Sequence, residues 1–207
     1  RQPAPAARAG FAQSFARMPR LLIERSVRGL LAIGFFEGLL IFGALAFVAL
    51  HFQRRFGIGP GAAGTLVAAY ALGGLAYAAV APRALRRFGE IGLATLGGGA
   101  LAAGYALLAI SPWLAAAALA LGAIGGGFYM FHTTLQTKLT QVAPAARGSA
   151  VALFATFLFM GQASGVWLAS NLADAVGIAP VFLVSAIGLT ALAVAFRRRL
   201  RKAAPPG

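Results

Sequence analysis

The chain has 207 residues, 60% of them apolar and 11% charged, against roughly 25% charged in a soluble domain, so its surface is suited to lipid. The net charge of +14 would raise nucleic acid as a partner if it covered one face of a folded domain, but the charges cluster between apolar runs, and membrane orientation explains them better. There is no cysteine, which excludes disulfides, Cys-ligated zinc and a cysteine nucleophile.

Residues 1–28 carry Arg1, Arg8, Arg17, Arg20, Arg25 and Arg28 against one acid, Glu24. Phe11, Phe15, Met18 and Leu22 recur at helical spacing, interrupted by Pro19. The segment reads as a basic linker or as a surface-lying stretch at the membrane. The opening RQPAPAARAG has no signal-peptide pattern and resembles a cut through a loop, so the chain is expected to be a fragment of a longer one.

Six apolar runs follow, at 29–50, 62–81, 91–110, 113–134, 149–171 and 178–196. Each is near the roughly 20 residues that a spanning helix needs. Breakers and interfacial residues mark the joints: Ile58-Gly59-Pro60-Gly61, Ser111-Pro112-Trp113, Ala143-Pro144, and Gly177 with Pro180. A basic tail occupies 197–207. Of the eighteen Lys and Arg, only Arg54 and Arg55 fall on one side of the runs. The N-terminal segment, an 82–90 loop, a 135–148 loop and the tail fall on the other. This asymmetry predicts an inner (cytoplasmic) membrane protein with both termini cytoplasmic.

The first run, GLLAIGFFEGLLIFGALAFVAL, carries Glu37. At 1.5 Å per residue Glu37 lies about 12 Å past Gly29, near the centre of a hydrocarbon core about 30 Å thick. An ionised side chain there costs about 2.5–3.5 kcal/mol on insertion scales, so it is expected to face a bundle interior or a water-filled path. Phe36 and Phe47, eleven residues apart and so on one helical stripe, are candidate apolar walls for a substrate. Gly34-x-x-x-Gly38, Gly122-x-x-x-Gly126 and Gly161-x-x-x-Gly165 would let backbones approach closely. Gly97-Gly98-Gly99 and Gly125-Gly126-Gly127 lack the strand, Lys-Ser/Thr and ribose-binding acid of a nucleotide loop.

His132, in FYMFHTTLQTKLT, and His51, closing the first run, read as interfacial histidines near helix ends. Neither belongs to a metal-binding cluster, and no metal or cofactor is expected. An intramembrane serine protease would need a Gly-x-Ser-Gly-like nucleophile. Gly161-Gln162-Ala163-Ser164-Gly165 has the wrong spacing and no histidine expected at its depth, so no enzymatic activity is expected. Gln136, Thr133, Thr134, Gln162 and Ser164 could line a path or hydrogen-bond between helices.

The stretch 125–165 resembles the tenth and eleventh helices of major facilitator superfamily transporters, most of all the drug- and sugar-efflux branch of proton antiporters. It carries Leu135-Gln136-Thr137, then Pro144-x-x-Arg147-Gly148-x-Ala150, then Gly161-Gln162-x-x-Gly165. Arg83-Ala-Leu-Arg86-Arg87-Phe-Gly89 resembles the second-half copy of that family's short basic loop. It departs from the pattern in having no acid before the arginines and in placing Glu90 after the glycine. The resemblance covers about residues 27–200. It implies an all-α membrane protein of six transmembrane helices, the C-terminal half bundle of such a transporter, made of two inverted three-helix repeats. It also implies proton-coupled export of small organic compounds by alternating access, with Glu37 facing the cavity. The missing N-terminal half, or a second copy, would then be a partner beside lipid, substrate and protons. The alternative is a six-span subunit that must dimerise or pair with a separate half.

Overall fold

The computed structural model describes residues 18–203. After a helical turn at 18–23, the helices are α1 (Arg25–Leu45), α2 (Val48–Phe56), α3 (Pro60–Ile110), α4 (Leu114–Val142), α5 (Arg147–Val176) and α6 (Ile178–Ala203), with a 3₁₀ turn at Pro144–Ala146. Among the described residues there is no strand. At 51 residues, α3 would be about 76 Å long if straight, far more than a bilayer core of about 30 Å. It bends at Gly89, whose backbone (φ 63°, ψ 179°) leaves the helical region, a conformation open to a residue without Cβ. Its two limbs, 60–88 and 90–110, each cross once. With α1–α2 as one crossing, the bundle has the six crossings expected.

The ends of the apolar runs are not the ends of the helices. The expected 82–90 loop is helical up to the bend, with Pro82 inside the first limb. The expected 135–148 loop shrinks to residues 143–146, because α4 continues through LQTKLTQV to Val142 and stops at Pro144, which cannot extend it. The first run breaks at Ala46–Phe47, where the amide of Phe47 donates to Ala44 O. One turn earlier, the buried Tyr105 hydroxyl donates to Ile41 O at 2.6 Å, tying the second limb of α3 to α1 beside the break. Much of the expected basic tail is the last turns of α6. The expectation for residues 1–17 lies outside the described residues, as do 204–207.

Small residues set the seams. A Cβ on Gly161 would collide with the Phe35 carbonyl, and one on Gly38 with the Leu158 carbonyl, which closes α1 onto α5. A Cβ on Gly125 would collide with the Tyr70 carbonyl, closing α4 onto the first limb of α3. Gly97 faces Gly127 between the second limb and α4, Gly188 faces Leu40 between α6 and α1, and Gly98 faces Ala193 between the second limb and α6. Exchanging the first three crossings with the last three maps these seams onto one another: α1·α5 onto α4·first limb, second limb·α4 onto α6·α1, and second limb·α6 onto itself. Each set has an odd number of crossings, so the two are inverted relative to each other, the arrangement of inverted-repeat transporters.

Contacts also bring the basic segments to one end. Arg199 donates to the carbonyls of Arg25 (3.0 Å) and Ser26 (2.7 Å), joining α6 to the start of α1. Lys138 lies 3.6 Å from Glu90, and Gln141 donates to the same carboxylate at 2.9 Å, joining α4 to the bend in α3.

Candidate functional site

Glu37 is fully buried on the inner face of α1. It is twelve residues, about 18 Å, from the basic end of its helix, near mid-membrane depth. A carboxylate sealed away from water costs several kcal/mol unless a partner compensates it. That partner is His132: its Nδ1 lies 3.2 Å from Glu37 Oε2. The imidazole lies between Phe128, 4.8 Å away on its own helix, and Phe154, 5.2 Å away on α5. Phe128 in turn contacts Phe42 of α1 at 5.3 Å and Tyr70 of the first limb at 6.1 Å. Four of the six crossings therefore converge on one pair of titratable side chains wrapped in aromatic rings.

The two partners differ in access. Glu37 has no solvent exposure, whereas the His132 side chain keeps 18%, so the imidazole is the more accessible of the two. Among the described residues Glu37 Oε1 has no hydrogen-bond partner, and the buried Tyr70 hydroxyl has none either. One Glu37 carboxyl oxygen therefore contacts His132 and the other remains free to accept a further bond.

His132 corrects the reading of an interfacial histidine. Counting depth from the last apolar residue near 134 places it at a helix end, but α4 runs ten residues beyond it. The signal that would have found it is the helix stop at Pro144, which lies twelve residues from His132, the same separation as Arg25 from Glu37. The exclusion of a serine nucleophile then rests on the spacing in 161–165 alone. His51, unlike the partly exposed His132, is buried at 6% exposure, with Phe182 edge-on at 5.0 Å.

The other expected residues are spread out. Phe36 is 49% exposed, its ring against Phe35 at 5.4 Å. Phe47 lies in the helix break itself and packs partly buried against the core, so the break interrupts the continuous stripe expected from their spacing. Gln136 is half-buried one turn beyond His132, on the same face of α4. Gln162 is half-buried on α5, its backbone beside Gly38 and so level with Glu37. Arg83, Arg86 and Arg87 are exposed just before the bend at Gly89, with Arg87 5.6 Å from the centre of the Phe88 ring. Arg147 and Gly148 are exposed at the start of α5. These basic-end residues do not reach the Glu37–His132 pair. A cavity of about 480 Å³ lies between α4 and both limbs of α3 near their bend, lined by Tyr77, Pro82, Glu90, Leu93, Tyr129 and Thr133 among others. It includes neither Glu37 nor His132, although Thr133 adjoins the latter. Among the described residues no cluster of His, Asp and Glu could hold a metal.

The sequence model of the Major Facilitator Superfamily matches residues 10–207. A comparison with curated proteins finds no match.

Proposed function

Because the chain belongs to the Major Facilitator Superfamily, and so to a family of multi-pass membrane transporters, we propose that it acts as one six-helix half of a proton-coupled exporter of small organic compounds, with Glu37 and His132 carrying the proton. The observation that carries this reading is the buried pair itself: an ionisable residue at mid-membrane depth is a functional site by default, and among the described residues this one has a single, partly accessible partner. In the exchange cycle a proton arriving through His132 neutralises Glu37. When Glu37 is charged again, its free Oε1 accepts a hydrogen bond from a donor on the substrate or on the facing half. Gln136 extends the polar face of α4 from His132 toward the cytoplasmic end, and Gln162 borders the pair from α5.

Alternating access requires a second bundle, since rocking occurs between repeats or bundles around a fixed site. The half-exposed Phe36 beside Glu37, with Phe159 (62%) and Met160 (54%) on α5, provides apolar surface for that bundle. It is the transporter's own N-terminal half in the exporter reading, and a second copy or a separate half in the subunit reading. The test is uphill efflux of a fluorescent amphipathic cation, ethidium, from proteoliposomes under an imposed pH gradient, using the complete transporter. Glu37→Gln should abolish gradient-driven efflux while leaving expression and thermal stability intact. Unchanged efflux with unchanged pH dependence would refute the assignment.

A further inference from the structure

The seam between the second limb of α3 and α6 is open along its outer side. Near the basic end it forms a groove of about 180 Å³ walled by Thr95, Gly99, Thr190, Val194 and Arg197 among others. Toward the opposite end a second groove of about 340 Å³ runs between Ala102, Ala106, Leu183 and Ile187. Thr190 borders both, so the two are consecutive stretches of one channel. From Arg197 to Leu183 that channel spans fourteen helical residues, about 21 Å, more than half the thickness of a bilayer core.

Its walls are chemically apolar. The Thr95 and Thr190 hydroxyls donate to Ile91 O (2.7 Å) and Ala186 O (2.9 Å) of their own helices. Ile187 (72%), Val194 (44%) and Leu183 (41%) are exposed beside the opening. At the basic end the chemistry changes. Arg197 borders the groove, and its buried Nε has no hydrogen-bond partner among the described residues. Arg197 stands nineteen residues from the start of α6, about 28 Å, at the depth where the hydrocarbon core gives way to headgroups.

We propose that this channel binds one anionic phospholipid of the leaflet on the basic side, its phosphate on the Arg197 guanidinium and one acyl chain lying along the small-residue seam past Thr190. A buried guanidinium nitrogen without a partner calls for an acceptor, and a guanidinium meets a phosphate with two parallel N–H donors. Arg198, Arg199, Arg201 and Lys202 follow on the same helix and add attraction for an anionic surface. The same charge disfavours a second copy of this chain in the groove, since side-by-side packing in one membrane would bring two such basic ends together.

The experiment uses the full chain purified in a neutral detergent and stripped of lipid. Native mass spectrometry and thermal unfolding follow additions of phosphatidylglycerol, phosphatidylcholine or inorganic phosphate. Retention of a single phosphatidylglycerol with a raised Tm is expected, with affinity about tenfold or more above that for phosphatidylcholine, a difference of about 1.4 kcal/mol or more. Inorganic phosphate should neither compete nor stabilise. Arg197→Gln should remove the preference for phosphatidylglycerol, whereas Arg198→Gln should keep it. Gly99→Leu should block binding by filling the groove, and a Cβ at Gly99 meets open space, so this variant should fold whatever Arg197→Gln does. Equal binding of the two lipids, binding unchanged in both Arg197→Gln and Gly99→Leu, or lipid-independent cross-linking of Ile187→Cys into dimers would overturn the proposal.

Discussion

Along the seam between α1 and α5, a Cβ on Gly38, Gly161 or Gly165 would run into the backbone of the facing helix. Along the seam between the second limb of α3 and α6, a Cβ on Gly98 would meet Ala193, but one on Gly99 would meet nothing. Both seams are made of small residues, and each stands beside an ionisable side chain with an unpartnered buried atom, Glu37 Oε1 in one and Arg197 Nε in the other. In the closed seam the charge sits near mid-membrane, is sealed, and has a histidine partner. In the open seam it stands at the headgroup level beside an apolar groove. Small residues only decide how near two helices come. What fills the remaining space, and the depth of the charge beside it, decides whether the seam is suited to carrying protons or to holding lipid.

The largest expected effect comes from prising the closed seam apart. Gly161→Leu forces a side chain into the Phe35 carbonyl and should abolish recovery of folded protein from membranes, whereas Gly99→Leu in the open seam should leave yield unchanged. Gel filtration of the two variants in detergent compares them directly.

Removing the partner of the buried carboxylate comes next. His132→Phe keeps the aromatic packing but leaves the buried Glu37 carboxyl without its hydrogen-bond partner, a loss of about 1–3 kcal/mol. Adding Glu37→Gln should recover part of that loss, so a double-mutant cycle read by thermal unfolding should show coupling of about 1–3 kcal/mol. Additive losses would mean that the two side chains do not act as a pair.

Smaller effects are expected away from the pair. Tyr105→Phe removes the hydrogen bond to Ile41 O that ties the second limb of α3 to α1. It should cost about 1 kcal/mol and lower Tm by about 2–4 °C for a domain of this size. Glu90→Gln weakens the partly exposed contact with Lys138, for which about 0–1 kcal/mol is the usual range. Its unfolding curve should be close to that of the parent and should converge with it as salt is raised.

Much of this arrangement is legible in the sequence, because lipid imposes strong rules. Apolar runs of spanning length gave six crossings, the Lys and Arg imbalance picked out the end where the basic segments meet, and the GxxxG pairs lie on seams where helices touch. An acid inside the first run is expected to face the bundle interior or a water-filled path, and Glu37 lies buried in the bundle. The parts that stayed hidden are those that hydropathy does not report. The helix of α4 continues through polar residues after its apolar run ends, so a depth measured from that run puts His132 near an interface. The limbs of α3 join through a single glycine bend rather than a loop, because the helical backbone continues past Pro82 to Phe88. Near the break at Ala46–Phe47 a tyrosine sixty-four residues beyond Ile41 reaches the Ile41 carbonyl, a contact no local pattern encodes. Arg197 reads in the sequence as one of five tail charges; only the packing of α6 on the second limb sets it apart.

The claim that the Glu37–His132 couple carries a proton is tested most directly by infrared difference spectroscopy during a pH jump on the full chain in lipid. The account predicts a protonated-carboxyl band that is lost in Glu37→Gln and shifted in frequency in His132→Phe. A spectrum in which Glu37→Gln leaves every carboxyl band unchanged would contradict it.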